Sequence, residues 1–519
     1  MGQALNVDSG VTNTQGKVQD LDSLVGRLED ARRLGLKVVH CHGVFDLLHI
    51  GHIRHFEEAK SFGDLLVVTV TPDRYVNKGP HRPAFTEALR AEALSALDCV
   101  DYVAVNRWPD SVETIKMIRP DVYVKGSEYK DQENDITGKI VDEENAVTEA
   151  GGRIAFTEDI VFSSTTLINN HMPVFPPEIH EYLHGFSDRH SIFDVLGLLD
   201  SASELKVLVI GETIIDEYQL CDMIGASTKE PIIATKYIST EKYAGGIVAV
   251  ANHVANFTKN VTMLTILGDR NTQEDFVREQ LNPEVKPLFI YKKNSPTIVK
   301  RRFLEGYHFQ KLFEVYEFND ADLDAGQSDE LCVHLSKELP NFDVVIVVDY
   351  GHGMMTKHAI ELVCQKANFL AVNTQSNAGN RGFNTISKYP RADFVCLAQH
   401  EISLEERERG NNNHAKILRV AEKLSCSNVM VTLGKDGNLT YRAGEGFTEV
   451  PALAGQIVDR VGAGDAVLSV VSLCVAQGSP MEIAGFIGNA VGAHAVATLG
   501  HRDSIERASL YKHLESLLK

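Results

Sequence analysis

The first third of the chain alternates apolar runs with segments of helical periodicity. The apolar runs are LKVVHCHGVFD, GDLLVVTVT, VDYVAVN, DVYVKG and GRIAFTE, and EALRAEALSAL and SVETIKMI lie between them. Short apolar runs predict buried strands, and their alternation with helices predicts a parallel sheet covered by helices. We therefore expect a doubly wound α/β domain over residues 35–170, after a leader and a helix in residues 1–34.

The pattern stops and then resumes. HMPVFPPEIHEYLHGFSDRH contains three prolines and predicts a linker over residues 171–203. From ELKVLVIGE onward, VTMLTILGD, FDVVIVVDYG, FLAVNT, ADFVCLA and NVMVTLG predict a second doubly wound domain over residues 204–519. Within it, PIIATKYIS and TIVKRRFLEGYHFQKLFEVYEF predict the strands of a small antiparallel β lid. No internal repeat is visible, so the two domains are expected to be unlike.

The composition argues against several classes of protein. The chain has 519 residues, of which 44% are hydrophobic and 24% charged, and no apolar run approaches the length of a membrane-spanning helix. The net charge of −20 argues against a nucleic-acid partner, because polyanion binding needs a basic face. The N-terminus lacks the features of a signal peptide, so we expect a cytoplasmic protein with no membrane partner. Eight scattered cysteines without a CxxC pair favour reduced thiols, and we expect no structural metal.

Two histidines mark the point where the first strand gives way to a helix. In HGVFDLLHIGHIRHFEEA, His49 and His52 are three residues apart and share one face of the helix. A helix start offers free backbone N–H groups to a phosphate, and imidazoles add donors to the charge that develops in phosphoryl chemistry. Helix capping or core packing is the usual explanation of an isolated pair with this spacing.

The sequence around this pair resembles the HxGH nucleotidyltransferases of the cytidylyltransferase-like branch, which have a Rossmann-like fold. VNKGPHRPAF, VYVKGSEY and SSTTLI resemble later segments of that branch, in the same order. The resemblance implies that His49 and His52 stabilise the transition state at the nucleotide α-phosphate and that Lys78 neutralises phosphate charge. Lys125 would face a phosphorylated acceptor, although for Lys78, Arg82 and Lys125 a solvated surface charge is the alternative. The implied nucleotide pocket contains Gly43, Phe45, Asp46, Ser164, Thr165 and Thr166.

A second candidate site lies in DRVGAGDAVLSVVSLCVAQG, where glycines and an aspartate precede an apolar helix. Glycines let backbone amides approach an anion, and a carboxylate in the first turn can accept a proton from an attacking hydroxyl. The motif, with VLVIGETIIDEY, YAGGIVAVAN, VVDYGHG and VTLGKDG upstream, resembles the ribokinase-like sugar kinases. The resemblance implies that Asp465 is the general base and that Asp216 binds substrate hydroxyls. It also implies an anion hole of Gly462, Ala463 and Gly464, a sugar site lined by Gly245 and Gly246, and an ATP site near Gly434 and Asn489.

The chain departs from the kinase pattern at three positions on the sugar or metal side. Ala249 and Ala398 stand where the family usually has asparagine, and Asn373 opens NTQ in place of Asp-Pro-Lys. Glu401 is left as an indirect metal candidate. Either the sugar differs from the common ones, or phosphoryl transfer is weakened. The complete GAGD loop favours the first interpretation.

The two resemblances together predict a bifunctional enzyme of nucleotide-sugar biosynthesis, similar to the heptose kinase and ADP-heptose synthase family with the domain order reversed. It would phosphorylate a sugar or sugar phosphate with ATP and then transfer a nucleotidyl group to the sugar 1-phosphate from a second nucleoside triphosphate, ATP or CTP. Mg²⁺ would serve both steps, and a homodimer through the kinase lid is expected. Arg301 and Arg302 would hold a phosphate on the sugar or form salt bridges at the lid edge. The alternative is a monofunctional nucleotidyltransferase whose kinase-like half only binds sugar or dimerises.

Overall fold

Consecutive residues of the first strand point to opposite faces of one sheet, and both faces are buried. Val39 and Cys41 belong to one hydrophobic cluster, whereas Val38 belongs to another. A sheet that is buried on both faces is typical of parallel α/β architecture. The computed structural model describes residues 16–76, 82–127, 139–157, 175–306, 310–410, 412–455 and 457–519.

The first unit contains five parallel strands in the order β3-β2-β1-β4-β5. They are β1 (Val38–Gly43), β2 (Leu65–Val70), β3 (Tyr102–Val105), β4 (Val122–Lys125) and β5 (Arg153–Phe156). Its helices are α1 (Leu21–Arg33), α2 (Ile50–Lys60), α3 (Glu87–Ser95), α4 (Val112–Ile118) and α5 (Lys139–Glu149). The strand order changes direction at β1, so ligands are expected at the carboxyl ends of β1 and β4.

The second unit spans Pro177–Leu510, while Tyr511–Leu517 group with the first unit. Its strands are β6 (Lys206–Ala226), β7 (Ile233–Gly246), β8 (Asn260–Arg270), β9 (Val285–Pro296), β10 (Ile298–Glu305), β11 (Lys311–Glu317), β12 (Val344–Asp349), β13 (Leu370–Thr374), β14 (Phe394–Ala398), β15 (Asn428–Thr432), β16 (Asn438–Arg442) and β17 (Gly446–Val450). The run β6-β12-β13-β14-β15 is parallel, and β16 and β17 extend it antiparallel. This arrangement confirms the expectation of two doubly wound α/β domains.

The remaining helices are α6 (Pro177–Arg189), α7 (Ile192–Ser201), α8 (Ile247–Ala255), α9 (Glu274–Gln280), α10 (Ala325–Glu338), α11 (Lys357–Lys366), α12 (Gln399–Glu405), α13 (Asn413–Lys423), α14 (Ala463–Ala476), α15 (Met481–Val496) and α16 (Arg507–Leu518). Helix α14 packs with α8, β12 and β14, and most of its residues are buried. Of the helices in the described ranges, none has both the length and the apolar character that a membrane crossing requires.

The small β lid is a mixed sheet and not a purely antiparallel one. The second half of β6 pairs antiparallel with β7, and β10 pairs antiparallel with β11. The β6–β10 pair, however, is parallel. Strand β9 runs parallel to β8, which in turn runs parallel to β6. Strand β10 begins two residues after β9 ends, without a reversing turn, so β10 has the same direction as β9 and β6. The antiparallel expectation is therefore wrong for this pair.

Much of the segment expected to be a linker forms helices α6 and α7. Pro177 occupies the first position of α6, where its missing N–H has no cost. The Phe186 ring packs on Phe486 of α15 with ring centroids 4.3 Å apart. Arg189 and His190 contact Glu482 of the same helix at 2.5 and 3.0 Å. These contacts attach α6 to the second unit, to which α7 also belongs, while residues 171–174 lie outside the described part of the chain.

Candidate active sites

His49 and His52 meet at the start of α2. His49 is the N-cap, and its Nδ1 accepts a hydrogen bond from the Gly51 N–H at 3.2 Å. An accepting Nδ1 carries no proton, so the neutral ring carries its proton on Nε2. Burial lowers the pKa of His49. The two imidazole rings are stacked with centroids 3.9 Å apart, so α2 presents both of them at one place.

Phe45 packs against His52 of this pair. Its backbone is left-handed, with φ of 49°, and its ring packs edge-on against His52 at 5.4 Å and Phe56 at 5.1 Å. Gly43, at the end of β1, leaves room for the ring, because a β-carbon there would lie 2.9 Å from Phe45 Cζ. The family resemblance assigns Phe45 and Gly43 to the nucleotide pocket, and this assignment stays a prediction. What the structure shows is that the Phe45 ring packs on His52 and that Gly43 leaves room for that ring.

Asp46 is buried and forms an ion pair with Arg82, with Oδ2 and Nη1 3.2 Å apart. Its Oδ1 accepts a hydrogen bond from the Ala84 N–H at 2.6 Å. Asp46, in the segment between β1 and α2, therefore anchors the Arg-Pro segment, and Arg82 is not a solvated surface charge. The other predicted nucleotide contacts, Lys78 and Ser164 to Thr166, lie outside the described residues.

Lys125 ends β4, next to β1, and its Nζ lies 2.7 Å from Glu143 Oε2. Two further histidines that sequence reasoning missed lie near this ammonium. His42 Nδ1 is 2.8 Å from Thr69 Oγ1, and His55 Nδ1 is 2.9 Å from Thr157 Oγ1. Burial and the Lys125 charge lower the pKa of His42 and of His55 to about 4, so both rings are neutral at pH 7. Only their spacing from the HxGH pair could have indicated them.

Asp465 lies in the first turn of α14, which begins after Gly462 with φ of 83°. Burial raises the pKa of the Asp465 carboxyl to about 7, while the neighbouring Tyr350 hydroxyl and Lys300 ammonium oppose the shift. A carboxylate with this pKa can take up a proton near neutral pH. The amides of Gly462, Ala463 and Gly464 stand at the same helix start, where backbone N–H groups favour an anion.

Asp216, predicted to bind the sugar, is contacted by residues from several segments of the second unit. Arg302 forms an ion pair with Asp216 Oδ1, and His501 Nε2 lies 3.6 Å from Oδ2. Gly245 is required here, because a β-carbon at this position would lie 2.0 Å from Oδ2. Gly246 follows with φ of 57° and begins α8. Sequence reasoning missed His501, since nothing in its local sequence marks a contact with Asp216.

The two predicted ATP-side residues differ in their surroundings. Gly434, with φ of 64°, begins a turn after β15, and a β-carbon on it would meet no atom within 4 Å. Asn489 instead donates its side-chain amide to the carbonyls of Val450 and Pro451 at 3.0 and 2.8 Å. Asn489 therefore fixes the segment that follows β17.

The departures from the family pattern have visible structural consequences. Glu401 accepts hydrogen bonds from the Ser376 and Ala398 N–H groups at 3.0 and 2.7 Å, and Asn373 donates to the Cys396 carbonyl at 2.8 Å. Glu401 thus holds two backbone segments together. Ala249 lines a cavity of about 200 Å³ with His253 and His501, among other residues. In the described ranges, no three His, Cys, Asp or Glu side chains are grouped as a metal site.

Arg301 and Arg302 point to opposite faces of β10. Arg301 pairs with Glu217 at 2.6 Å and Glu317 at 2.9 Å, whereas Arg302 pairs with Asp216 and also with Glu314 at 3.2 Å. The salt-bridge alternative of the sequence analysis thus describes both residues, and only Arg302 faces Asp216.

Comparison with known proteins gives two family matches. A model described as pfkB family carbohydrate kinase matches residues 204–508, and one described as cytidylyltransferase-like matches residues 40–170. The bifunctional protein HldE of Geobacter metallireducens is 38% identical over 159 residues, which are 30% of this chain and 31% of that protein. The bifunctional protein HldE of Campylobacter jejuni subsp. jejuni is 27% identical over 305 residues, 58% of this chain and 63% of that protein. The chain thus spans from about a third to just under two thirds of these relatives.

Among solved structures, phosphofructokinase-2 from Escherichia coli is similar to this chain with a TM-score of 0.48 and 18% identity. The similarity covers 60% of this chain and 99% of that chain.

Proposed function

Because the chain belongs to the pfkB family of carbohydrate kinases, we propose that its second unit phosphorylates a sugar or sugar phosphate with ATP. We further propose that its first unit joins the resulting sugar 1-phosphate to a nucleotide. The observation that carries the proposal is the position of Asp465, a buried carboxyl with a pKa of about 7 beside the amides that start α14. A degenerate kinase-like module would have no need of a general base in this position.

In the kinase step, Asp216 accepts a hydrogen bond from a sugar hydroxyl and orients the acceptor. Asp465 takes the proton of the attacking hydroxyl as its oxygen forms a bond to the γ-phosphorus of ATP. The bond between that phosphorus and the bridging oxygen breaks, and ADP leaves. The amides of Gly462, Ala463 and Gly464 donate to the oxygens of the transferred group, where negative charge accumulates.

In the nucleotidyl step, an oxygen of the sugar 1-phosphate attacks the α-phosphorus of the nucleoside triphosphate, and pyrophosphate leaves. The substrate itself is the nucleophile, so the enzyme contributes positioning and charge stabilisation. His49 and His52 stabilise the α-phosphate, while Lys125 faces the phosphate of the acceptor. Lys78 and Ser164 to Thr166 complete the phosphate contacts in this proposal. The nucleotide is ATP or CTP.

The two reactions are consecutive, because the first makes the phosphate ester that the second consumes. The bifunctional relatives support this combination, and the resemblance to the heptose kinase and ADP-heptose synthase family points to a heptose-like sugar. Both substrates of each step are metabolites of the cytoplasm, where we place the enzyme. The intact base and helix start in the second unit favour this proposal over a monofunctional transferase.

We propose Mg²⁺ as the ion for both steps, where it would neutralise the negative charge of the nucleotide phosphates. Mg²⁺ in such sites is held largely by nucleotide phosphates and water, with one or two carboxylates at most. This mode needs no cluster of protein ligands, and the described residues fit it. Glu401, whose oxygens already accept two N–H groups, would be an indirect contact to the ion in this proposal.

We also propose a homodimer through the lid. Four apolar side chains of β7 and β11 are between 45% and 62% exposed: Ile233, Tyr237, Phe313 and Val315. These side chains lie on the two outer strands of the lid sheet, whose order is β7-β6-β10-β11, and exposed apolar groups of this kind suit an interface between two copies.

The experiment that tests the function uses the purified chain with Mg²⁺ and a panel of sugars and sugar phosphates, heptoses included. ADP formation reports the kinase step, and pyrophosphate release with ATP, CTP, GTP or UTP reports the nucleotidyl step. The proposal expects one acceptor to give both signals. If none of the acceptors leads to ADP formation while pyrophosphate is still released, the monofunctional alternative is favoured.

A further inference from the structure

Lys300 lies in β10, one of the two middle strands of the lid, beside Asp216 of β6. It stands in β10 directly opposite Asp216 of β6 and Tyr316 of β11. Its side chain passes over the Tyr316 ring, with Nζ 5.6 Å from the ring centroid. The charges of Asp216 and Asp465 both act on this ammonium. Lys300 therefore faces the space between the sugar-binding carboxylate and the general base.

Lys300 differs from the other buried lysines in what it bonds to. Lys292 donates to the carbonyls of Asn319 and His352, and Lys416 donates to Ser403 Oγ and the Gly410 carbonyl. The Lys300 residue is only 5% exposed. Yet in the part of the chain that the structure describes, its ammonium has no hydrogen bond and no carboxylate within salt-bridge distance.

A largely buried ammonium without a hydrogen-bonding partner is costly, because burial removes most of its hydration without replacing it. Burial lowers the pKa of Lys300 accordingly, while Asp216 raises it. Asp216 is already paired with Arg302, so it does not satisfy Lys300 directly. The missing partner is expected to be an anion that enters with the substrates.

We propose that Lys300 binds a phosphate group in the kinase site. This inference rests on the proposed kinase function and adds a residue that contacts the reacting molecules. The phosphate has two possible sources, the γ-phosphoryl group of ATP as it moves towards the acceptor, or a phosphate already present on the sugar. In either case the ammonium donates hydrogen bonds to phosphate oxygens and no covalent bond to Lys300 forms.

The test compares three variants of the full-length chain. Lys300→Met removes the charge and keeps the length, and Lys300→Arg restores a charge. Arg301→Met is the matched control, because Arg301 is the next residue of the same strand and pairs with Glu217 and Glu317 on the other face. For each variant, kcat and KM for ATP and for acceptor are measured with free sugars and with their phosphate esters.

The two phosphate sources give different results. If Lys300 binds the transferred group, Lys300→Met lowers kcat by about 10²-fold with every acceptor, as expected for loss of one donor to the transition state. If it binds a phosphate on the sugar, Lys300→Met raises KM at least tenfold only for phosphorylated acceptors. Lys300→Arg recovers part of the loss in both cases. Lys300→Met kinetics equal to those of Arg301→Met would overturn the proposal.

A second measurement separates this proposal from the proposed function. The affinity for inorganic phosphate is measured by calorimetric titration of the unmodified chain, of Lys300→Met and of Arg301→Met. Since neither substitution alters the first unit, a difference between the variants reports on Lys300. The proposal expects at least tenfold weaker binding at one site in Lys300→Met alone. If no acceptor is phosphorylated but this difference is present, the kinase function is wrong and the phosphate site stands; without the difference, the phosphate site is wrong.

Discussion

The imidazole of His501 lies directly on Gly462, so closely that a β-carbon at residue 462 would come within 2.3 Å of His501 Cε1. The same ring has its Nε2 3.6 Å from Asp216 Oδ2. One buried side chain therefore lies between the carboxylate assigned to the sugar and the helix start assigned to the phosphoryl group. Gly462, the first glycine of the GAGD loop, is therefore required for this contact, in addition to its proposed role in the anion hole.

Gly462→Ala is expected to impair the kinase step for two reasons. An alanine at φ of 83° costs about 1–2 kcal/mol in a left-handed conformation, and its β-carbon would also displace His501. We predict at least a tenfold fall in kcat for ADP formation and a lower Tm, with pyrophosphate release from sugar 1-phosphate unchanged. In the double variant with His501→Ala, part of the Tm loss should be recovered. An unchanged kcat in Gly462→Ala would contradict the assigned anion hole.

Asp465→Asn is expected to lower kcat of the kinase step by about 10²- to 10⁴-fold, the usual contribution of a general base. Only the ionised carboxylate accepts a proton, and burial raises its pKa to about 7. The kcat/KM of the unmodified kinase should therefore rise with pH up to about 7, level off above it, and fall about tenfold per unit well below it. A profile that is flat between pH 5 and 8 would mean that Asp465 is not the base.

Two substitutions of His49 separate chemistry from helix capping. Asparagine is a good N-cap and can replace the Nδ1 that accepts from Gly51, whereas alanine loses the cap at a cost of about 0.5–2 kcal/mol. We predict that both His49→Asn and His49→Ala lose pyrophosphate release by about 10²-fold or more. Only His49→Ala should lower Tm measurably. Retained activity in His49→Asn would show that the residue acts only as a cap.

The proposed dimer interface of the lid is tested by introducing negatively charged side chains into it. Tyr237→Glu combined with Phe313→Glu should halve the molar mass measured by light scattering, because two carboxylates would be buried in the interface. Val333→Glu is the control, since Val333 is 68% exposed on α10, away from the lid strands. A mass that does not differ between the double variant and the control would contradict a dimer through the lid.

The sequence predicted those parts of the fold and sites that depend on neighbours along the chain. Strand and helix alternation identified both α/β units, and the GAGD loop is a run of consecutive residues whose conformation is set locally. His49 and His52 are three residues apart in one helix, so their meeting follows from helix geometry.

What the sequence could not predict depends on pairings between distant segments. Lys300 faces Asp216 only because β10 lies beside β6 in one particular register, and the parallel direction of that pair was itself not foreseen. His501 reaches Asp216 from beyond the end of α15. The ion pair of Asp46 with Arg82 is also a tertiary contact, and no local pattern distinguishes such an arginine from a solvated one.

The most direct test of the two consecutive reactions is complementation between Asp465→Asn and His49→Asn. Each purified variant, and an equimolar mixture, is incubated with the accepted sugar substrate, Mg²⁺ and the nucleotides, and the nucleotide sugar is measured by mass spectrometry. We predict almost no product from either variant alone and product at a rate near that of the unmodified chain from the mixture, because the phosphorylated intermediate made by His49→Asn is consumed by Asp465→Asn. Product from Asp465→Asn alone, at the unmodified rate, would contradict the proposed pair of consecutive reactions.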